Sequence, residues 1–515
     1  MFYAACTLIQ ILEQRGDRLP CLRIEDYPDF PARGVMLDIS RDKVPSMATL
    51  YELIDRLASW KINQLQLYTE HTFAYLNHPV VWQQASPITA EEALELDACC
   101  RQRFIELVPN QNSFGHLTRW LKYPEYAGLA ETHGEFDTPW GREQGPFSLA
   151  PVHPGSLTLI RSLYDELLPN FTSRMVNVGC DETFDIGAGQ SREACARLGA
   201  DRVMFDYLLE LYADVKKRGL TMQFWADILV HHPHLLAEMP KDAVGLIWNY
   251  EAGQSYEEVS ALFQSAGQPF YVCPGTSSWN SLAGRLANML ANSLDAARSG
   301  LAHGAQGYLN TDWGDNGHWQ TLPFSLPGFA AGAAFNWCLE TNQNLRLDAV
   351  VSRFALDDRS GAAARAIFRL GNLYRLTGME LPNSSALFWL LQYPLDRLRG
   401  LPRLPAERID ACQAEIEAGL GELDGAQIQR PDAGLLEREI RLAARMLRHA
   451  CMRAQLLNQG DFAASQSLIR ELLADSSGFL EEYRQIWLER NRPGGLADSA
   501  GRIERLVEEY SRLVN

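Results

Sequence analysis

Residues 176–183 read Val-Asn-Val-Gly-Cys-Asp-Glu-Thr, an apolar, β-favouring run that ends in two adjacent carboxylates, Asp181 and Glu182. Clustered β-branched residues favour a buried strand, and the middle of such a strand cannot hold two charges. The pair therefore belongs at the strand's C-terminal mouth, the end at which barrel enzymes keep their chemistry. One carboxyl there can give and take a proton, while its neighbour orients a group on the bound molecule. The same two residues would also serve as a cap for a following helix. The octapeptide alone leaves both readings open.

Elements able to position such a pair recur along the chain. Short apolar runs at 34–40, 64–69, 104–110, 175–181, 221–227, 243–250, 269–275 and 304–312 alternate with amphipathic segments such as 203–218 and 281–298. Eight β-then-α units over roughly 300 residues have the size of a (β/α)8 TIM barrel, an α/β fold. Unusual polar and aromatic residues gather at the strand ends: Arg41, Glu70, His116, Asp181, Glu182, Trp225, Asp227, the group Trp248 to Glu251, Trp313 and Asp315. In a barrel those ends open on one face, so the pattern predicts an active face. The long 111–174 connection is the main irregularity, and long loops in compact domains are often functional.

Beyond Asp348 the β signal stops, and 361–376, 406–423, 434–457, 462–475, 478–490 and 499–513 read as helices. Segment 434–457 sets Leu436, Ile440, Ala443, Leu447 and Ala450 on one face, as a packed helix does. Arg490-Asn-Arg-Pro-Gly-Gly495 reads as a turn. Met1–Gln14 has helical periodicity from its first residue, with no cap and no basic leader, which predicts that the chain enters mid-domain. The expected organisation is a truncated remnant of a small α/β domain with its lead-in over 1–30, a barrel over 31–347, and a C-terminal all-helical domain over 348–515.

Composition narrows the class. The 515 residues are 46% hydrophobic and 22% charged, which suits a large globular chain of two or three domains. A net charge of −17 disfavours nucleic acid or an anionic membrane as partner and is indifferent to a neutral ligand. No run of about 18 apolar residues is present, so no membrane span is expected. The ten cysteines are scattered without a C-x-x-C pair and read as reduced, pointing to the cytoplasm.

A carboxylate-bearing mouth lined with tryptophans suits carbohydrate: sugar C–H faces stack on indoles, and charged groups bind the hydroxyls. Most glycosidases set two carboxylates on opposite sides of the scissile bond, which adjacent residues do awkwardly; substrate-assisted enzymes are the exception. Arg33-Gly-Val-Met-Leu-Asp-Ile-Ser-Arg41, Val108-Pro-Asn-Gln-Asn-Ser-Phe-Gly-His116 and Val178-Gly-Cys-Asp-Glu182 follow in order at three strand ends. Together they resemble glycoside hydrolase family 20, the β-N-acetylhexosaminidases, over essentially residues 1–340.

The resemblance implies a retaining exo-glycosidase for terminal β-linked N-acetylhexosamine that uses no cofactor or metal. Glu182 would be the acid and then the base. Asp181 would orient the 2-acetamido group, whose carbonyl oxygen attacks C1 to give an oxazolinium intermediate. Arg41, His116 and Asp315 would bind the sugar, Trp225, Trp248 and Trp313 would wall the pocket, and Glu70, Asp227 and Tyr271 complete the expected set. Two local departures stand out. Tyr68-Thr-Glu-His71 replaces the family's His-x-x-x-Asp, leaving Glu70 to stand in, and Tyr271-Val-Cys273 replaces Tyr-x-Asp on the seventh strand.

Two other readings remain. His231-His-Pro-His234, joined by His116, Asp227 and Asp312, could serve a metal-dependent hydrolase, although it lacks the H-x-x-x-H spacing that sets two imidazoles on one helix face. A non-catalytic sugar-binding barrel is the other. Chelation separates the first from an acetamido-assisted enzyme, and binding without turnover identifies the second.

Overall fold

The computed structural model describes every residue except 17, 18, 20, 255 and 515, so part of the expected lead-in lies outside the described residues. Eight parallel strands close into a barrel: β1 (Ala32–Asp38), β2 (Gln64–Thr69), β3 (Glu106–Gln111), β4 (Met175–Asn177), β5 (Thr221–Trp225), β6 (Val244–Trp248), β7 (Phe270–Cys273) and β8 (Gly307–Asp312). Each strand pairs with its neighbours in sequence, and β1 closes the ring on β8. The eight expected strands are all present, with helices around them. Strand β4 keeps only three residues, because Gly179 (φ 69°) and Cys180 (φ 75°) turn the backbone out of the extended region.

Alternation along the strands divides their side chains. Val35, Leu65, Leu107, Val176, Phe224, Ile247 and Val272 point outward into the core shared with the helices. Met36, Tyr68, Trp225, Leu246, Leu309 and Trp313 pack together inside the barrel. A band of amides crosses the lumen below the mouth. Gln66 Nε2 donates to Gln223 Oε1 at 2.8 Å, and the side-chain amides of Asn110 and Asn177 both donate to Gln66 Oε1 at 3.0 Å. These bonds pair most of the buried amide groups into a rigid floor and leave Asn110 Oδ1 without a partner.

The 111–174 connection holds an antiparallel hairpin, Glu135–Thr138 with Gly141–Gln144, that sequence did not predict. Its residues are mostly exposed and polar, so no apolar alternation marks them. After the barrel, helices include Ala362–Leu370, Ala386–Gln392, Ala406–Leu423, Ala433–Gln459, Gln466–Arg490 and Leu496–Val514. The segments read as separate helices at 462–475 and 478–490 form a single one. Ser476 and Ser477 satisfy their hydroxyls on the Leu473 carbonyl at 3.1 and 2.8 Å and so do not break it.

One apolar core runs from the outer face of the barrel into these helices. The turn at 490–495 docks on the barrel loops: Arg492 N–H donates to the Val44 carbonyl at 2.8 Å, and its guanidinium reaches the Pro87 carbonyl at 2.7 Å and Glu92 at 2.8 Å. At the other end of the chain, helix Phe2–Arg15 rests Phe2 on Phe104, while Leu8, Ile9 and Leu12 remain exposed. Among the described residues no helix is long and apolar enough to cross a membrane, and all ten cysteines are free thiols.

Candidate active site

The loop after β4 is left-handed at Gly179, Cys180 and Glu182, the last with φ 54°. For residues with a Cβ this conformation costs roughly 1–2 kcal/mol each, so neighbours must hold it. Asn112 does so from just beyond β3, accepting from Cys180 N–H at 3.2 Å and donating to Asp181 Oδ1 at 3.0 Å. Asp227, just beyond β5, accepts the Glu182 N–H at 3.0 Å. The approach of the β3 and β4 loops is also close: a Cβ on Gly115 would lie 2.6 Å from the Asp181 carbonyl.

Beside Gly115, His116 joins the two acids. Its Nε2 is 3.3 Å from Asp181 Oδ2 and 3.5 Å from Glu182 Oε2, and its Nδ1 is 3.4 Å from an Arg41 Nη. Burial works against the imidazolium, yet Asp181 and Glu182 overcome it and push His116 up to about 9. The carboxyls then part ways. Burial acts to raise Asp181, but the His116 charge and hydrogen bond, with Arg41, hold it below the usual range. Glu182 is pushed up to about 7, chiefly by burial; His116 opposes the rise, and the charges of Asp181 and Asp315 add to it. Two adjacent carboxyls thus carry opposite proton affinities, the arrangement that separates an ionised orienting group from a proton donor.

Arg41 is fixed by charge and by stacking. It pairs with Asp38 at 3.2 Å, Glu70 at 3.5 Å and Asp315 at 3.9 Å, and its guanidinium lies about 5 Å from the ring centres of both Tyr68 and Trp313. Seven of the expected residues line one pocket at the mouth: Arg41, Asp181, Glu182, Trp225, Trp248, Trp313 and Asp315. The indole N–H of Trp225 is buried there without a hydrogen-bond partner. His116, Glu70 and Asp227 stand behind that wall. Glu70 accepts from Tyr68 Oη at 3.0 Å and backs Arg41, and Asp227 supports the Glu182 backbone.

Tyr271 is a correction. Its hydroxyl points to Met175 Sδ at 3.9 Å, in the lumen below the mouth, and it does not line the pocket. Strand alternation gives β7 two inward positions, 271 and 273, and the upper one is Cys273. The ring at 271 fills the lower layer against Gly307, where a Cβ would come within 2.6 Å of it. Tyr250, beyond β6, brings a phenol to the mouth instead and accepts from Trp313 Nε1 at 2.7 Å. Its position two residues after Trp248 was the available signal, since inward positions alternate. Asn383, which also lines the pocket, follows the barrel in sequence and carried no signal.

The histidine cluster does not reach this site. His231 and His234 are exposed, and His234 pairs with Asp201 at 3.2 Å. Asp312 is taken by hydroxyls of Thr276, Ser278 and Ser325 at 2.5, 2.7 and 3.0 Å. Among the described residues the trio with the dimensions of a metal site is His116, Asp181 and Glu182, whose ligand atoms all lie within 4.8 Å of one another.

Fold and site together define a (β/α)8 barrel whose C-terminal mouth holds an acid pair walled by indoles. The chain belongs to glycosyl hydrolase family 20: residues 30–291 match that family's catalytic domain. A beta-hexosaminidase of Akkermansia muciniphila is 26% identical over 261 residues, covering 45% of this chain and 52% of that protein. Human hexosaminidase D is 22% identical over 325 residues, covering 59% and 65%. The matched segments thus span about half to two thirds of these relatives. Among solved structures, Flavobacterium johnsoniae chitobiase superposes with a TM-score of 0.58 at 18% identity, over 91% of this chain and 79% of that one. An exo β-N-acetylglucosaminidase of Vibrio harveyi, solved with N-acetylglucosamine, gives 0.55 at 18% identity, over 72% and 64%.

Proposed function

We propose that the protein is a retaining exo-glycosidase that removes terminal β-linked N-acetylhexosamine by substrate-assisted catalysis. The observation that carries this reading is the split between an ionised Asp181 and a Glu182 pushed up to about 7 in one pocket. Glu182 protonates the glycosidic oxygen as the bond to C1 breaks. Asp181 accepts the acetamido N–H and turns the amide so that its carbonyl oxygen attacks C1 from the opposite face, giving the oxazolinium. Glu182, now ionised, takes a proton from the water that opens this ring at C1. Two inversions retain the β configuration. In this reading Tyr250, whose hydroxyl accepts from Trp313 Nε1 at the pocket wall, is the phenol that donates to the acetamido oxygen. Holding the nucleophile within the substrate makes the attack intramolecular, where effective concentrations are very large. A cytoplasmic location, consistent with ten free cysteines, belongs to the same proposal.

Glu182→Gln should lower kcat on an aryl β-N-acetylglucosaminide by about 10²–10⁴-fold while the fold is kept, measured by turnover and circular dichroism. The matching aryl glucoside, which lacks the acetamido group, should be inert. Comparable turnover of the two glycosides would sink the mechanism. The His116–Asp181–Glu182 trio favours one second reading, metal-assisted hydrolysis. Exhaustive chelation should leave activity unchanged; its loss, with recovery on adding zinc, would establish that alternative.

A further inference from the structure

Asn383 lies outside the barrel, just before the helix Ala386–Gln392, yet it lines the same pocket as Asp181 and Glu182. Its backbone is left-handed, with φ 54°, a conformation that asparagine tolerates better than most residues. Separate segments hold it in that state. The Asn383 N–H donates to Glu251 Oε1 at 2.6 Å, and its carbonyl accepts from Asn280 Nδ2 at 3.4 Å. Glu251 is gripped by two nitrogens of the buried Arg285 at 3.0 and 2.8 Å. Asn280 accepts in turn from the side chain of Asn316, next to Asp315, at 3.0 Å.

The two bonds made to Asn383 itself use its backbone, and neither satisfies its side chain. Asn383 Oδ1 is buried with no hydrogen-bond partner in the protein. That oxygen has no surface for a ligand to reach, but among the described residues no acceptor takes the Nδ2 donor of the same amide, so Nδ2 is the group left to bond a ligand hydroxyl at the pocket wall. A strained, tightly anchored residue with an unspent amide at a pocket wall has the features of a binding group.

We propose that Asn383 is a substrate-binding residue whose side-chain amide bonds one hydroxyl of the sugar in the Asp181–Glu182 pocket. The helical region after the barrel then completes the specificity of the barrel's own site. This inference rests on the sugar-binding reading above.

Calorimetric binding of N-acetylglucosamine and its 3-, 4- and 6-deoxy analogues to the full chain tests it. Asn383→Gly removes the amide while favouring the same backbone conformation, and Asn383→Asp keeps the shape should the first variant fold poorly. Each variant should bind N-acetylglucosamine roughly five- to tenfold more weakly, with KM raised and kcat within about twofold. The loss should vanish for the one analogue that lacks the contacted hydroxyl. An equal loss across all analogues, or none, would overturn the assignment. Wild-type turnover, measured alongside, separates the two readings. Asn383-dependent binding without turnover ends the catalytic reading alone, and turnover with Asn383-independent binding ends this inference alone. A protein that neither binds nor turns over the sugar ends both.

Discussion

Glu182 and His116 stand 3.5 Å apart, and each sets the other's proton affinity. If free Glu182 must be protonated to act, kcat/KM falls about tenfold per pH unit above a midpoint near 7. His116 holds its charge up to about 9, so across that limb it still draws both carboxyls downward. Removing a cation favours the neutral form of a nearby acid. His116→Asn should therefore move the alkaline limb to higher pH and lift the acid limb, set by Asp181, as well. Profiles of kcat/KM against pH would show this, and an alkaline limb that stayed put or moved down would refute the coupling. Charge relations of this kind were only partly legible in sequence. Asp181, Glu182, Arg41 and the three tryptophans fall at or just beyond strand ends, where an apolar run stopping in charged or aromatic residues marks them. Tyr271 shows the limit: alternation tells inward from outward but not which layer of the lumen a side chain fills.

At the scale of elements, the loop from β4 to Glu182 depends on what Gly179 lacks. A Cβ there would lie 2.6 Å from Asn112 Cγ and 2.9 Å from its Cα, on the residue that bonds both Cys180 N–H and Asp181 Oδ1. Gly179→Ala should displace Asn112 and with it the Asp181 carboxylate. Misplacing a reacting group by about 1 Å can cost on the order of 10²-fold, so kcat should fall by that order while the melting temperature drops only a few degrees. Activity near wild type would mean that the loop relaxes without moving Asp181. The strands that position this loop were readable because each is a short apolar run between helical segments. The 135–144 hairpin escaped because its residues face solvent, and the 466–490 helix was split because two serines and a glycine resemble a break until their bonding is known.

Across the whole molecule, Arg490 ties the helices to the barrel. It is buried, takes Glu439 through two nitrogens at 3.1 and 2.8 Å, and reaches Asp432 at 2.8 Å. Its carbonyl accepts the N–H of Ser46, the residue that caps helix Met47–Ser59 of the barrel. Removing one partner of a buried ion pair leaves an uncompensated charge and costs about 3–5 kcal/mol. Arg490→Met should destabilise by that amount, because Glu439 is buried and loses its paired cation. Glu439→Gln should cost less, since Arg490 keeps Asp432. The apolar core is continuous from barrel to helices, so strands and helices should lose hydrogen-exchange protection together in one urea transition, in wild type and variant alike. Two separated transitions would show that the helical region folds on its own and that Arg490 serves only as a local clasp. A single transition would make the barrel's active mouth dependent on chain folded after it, as the placement of Asn383 requires.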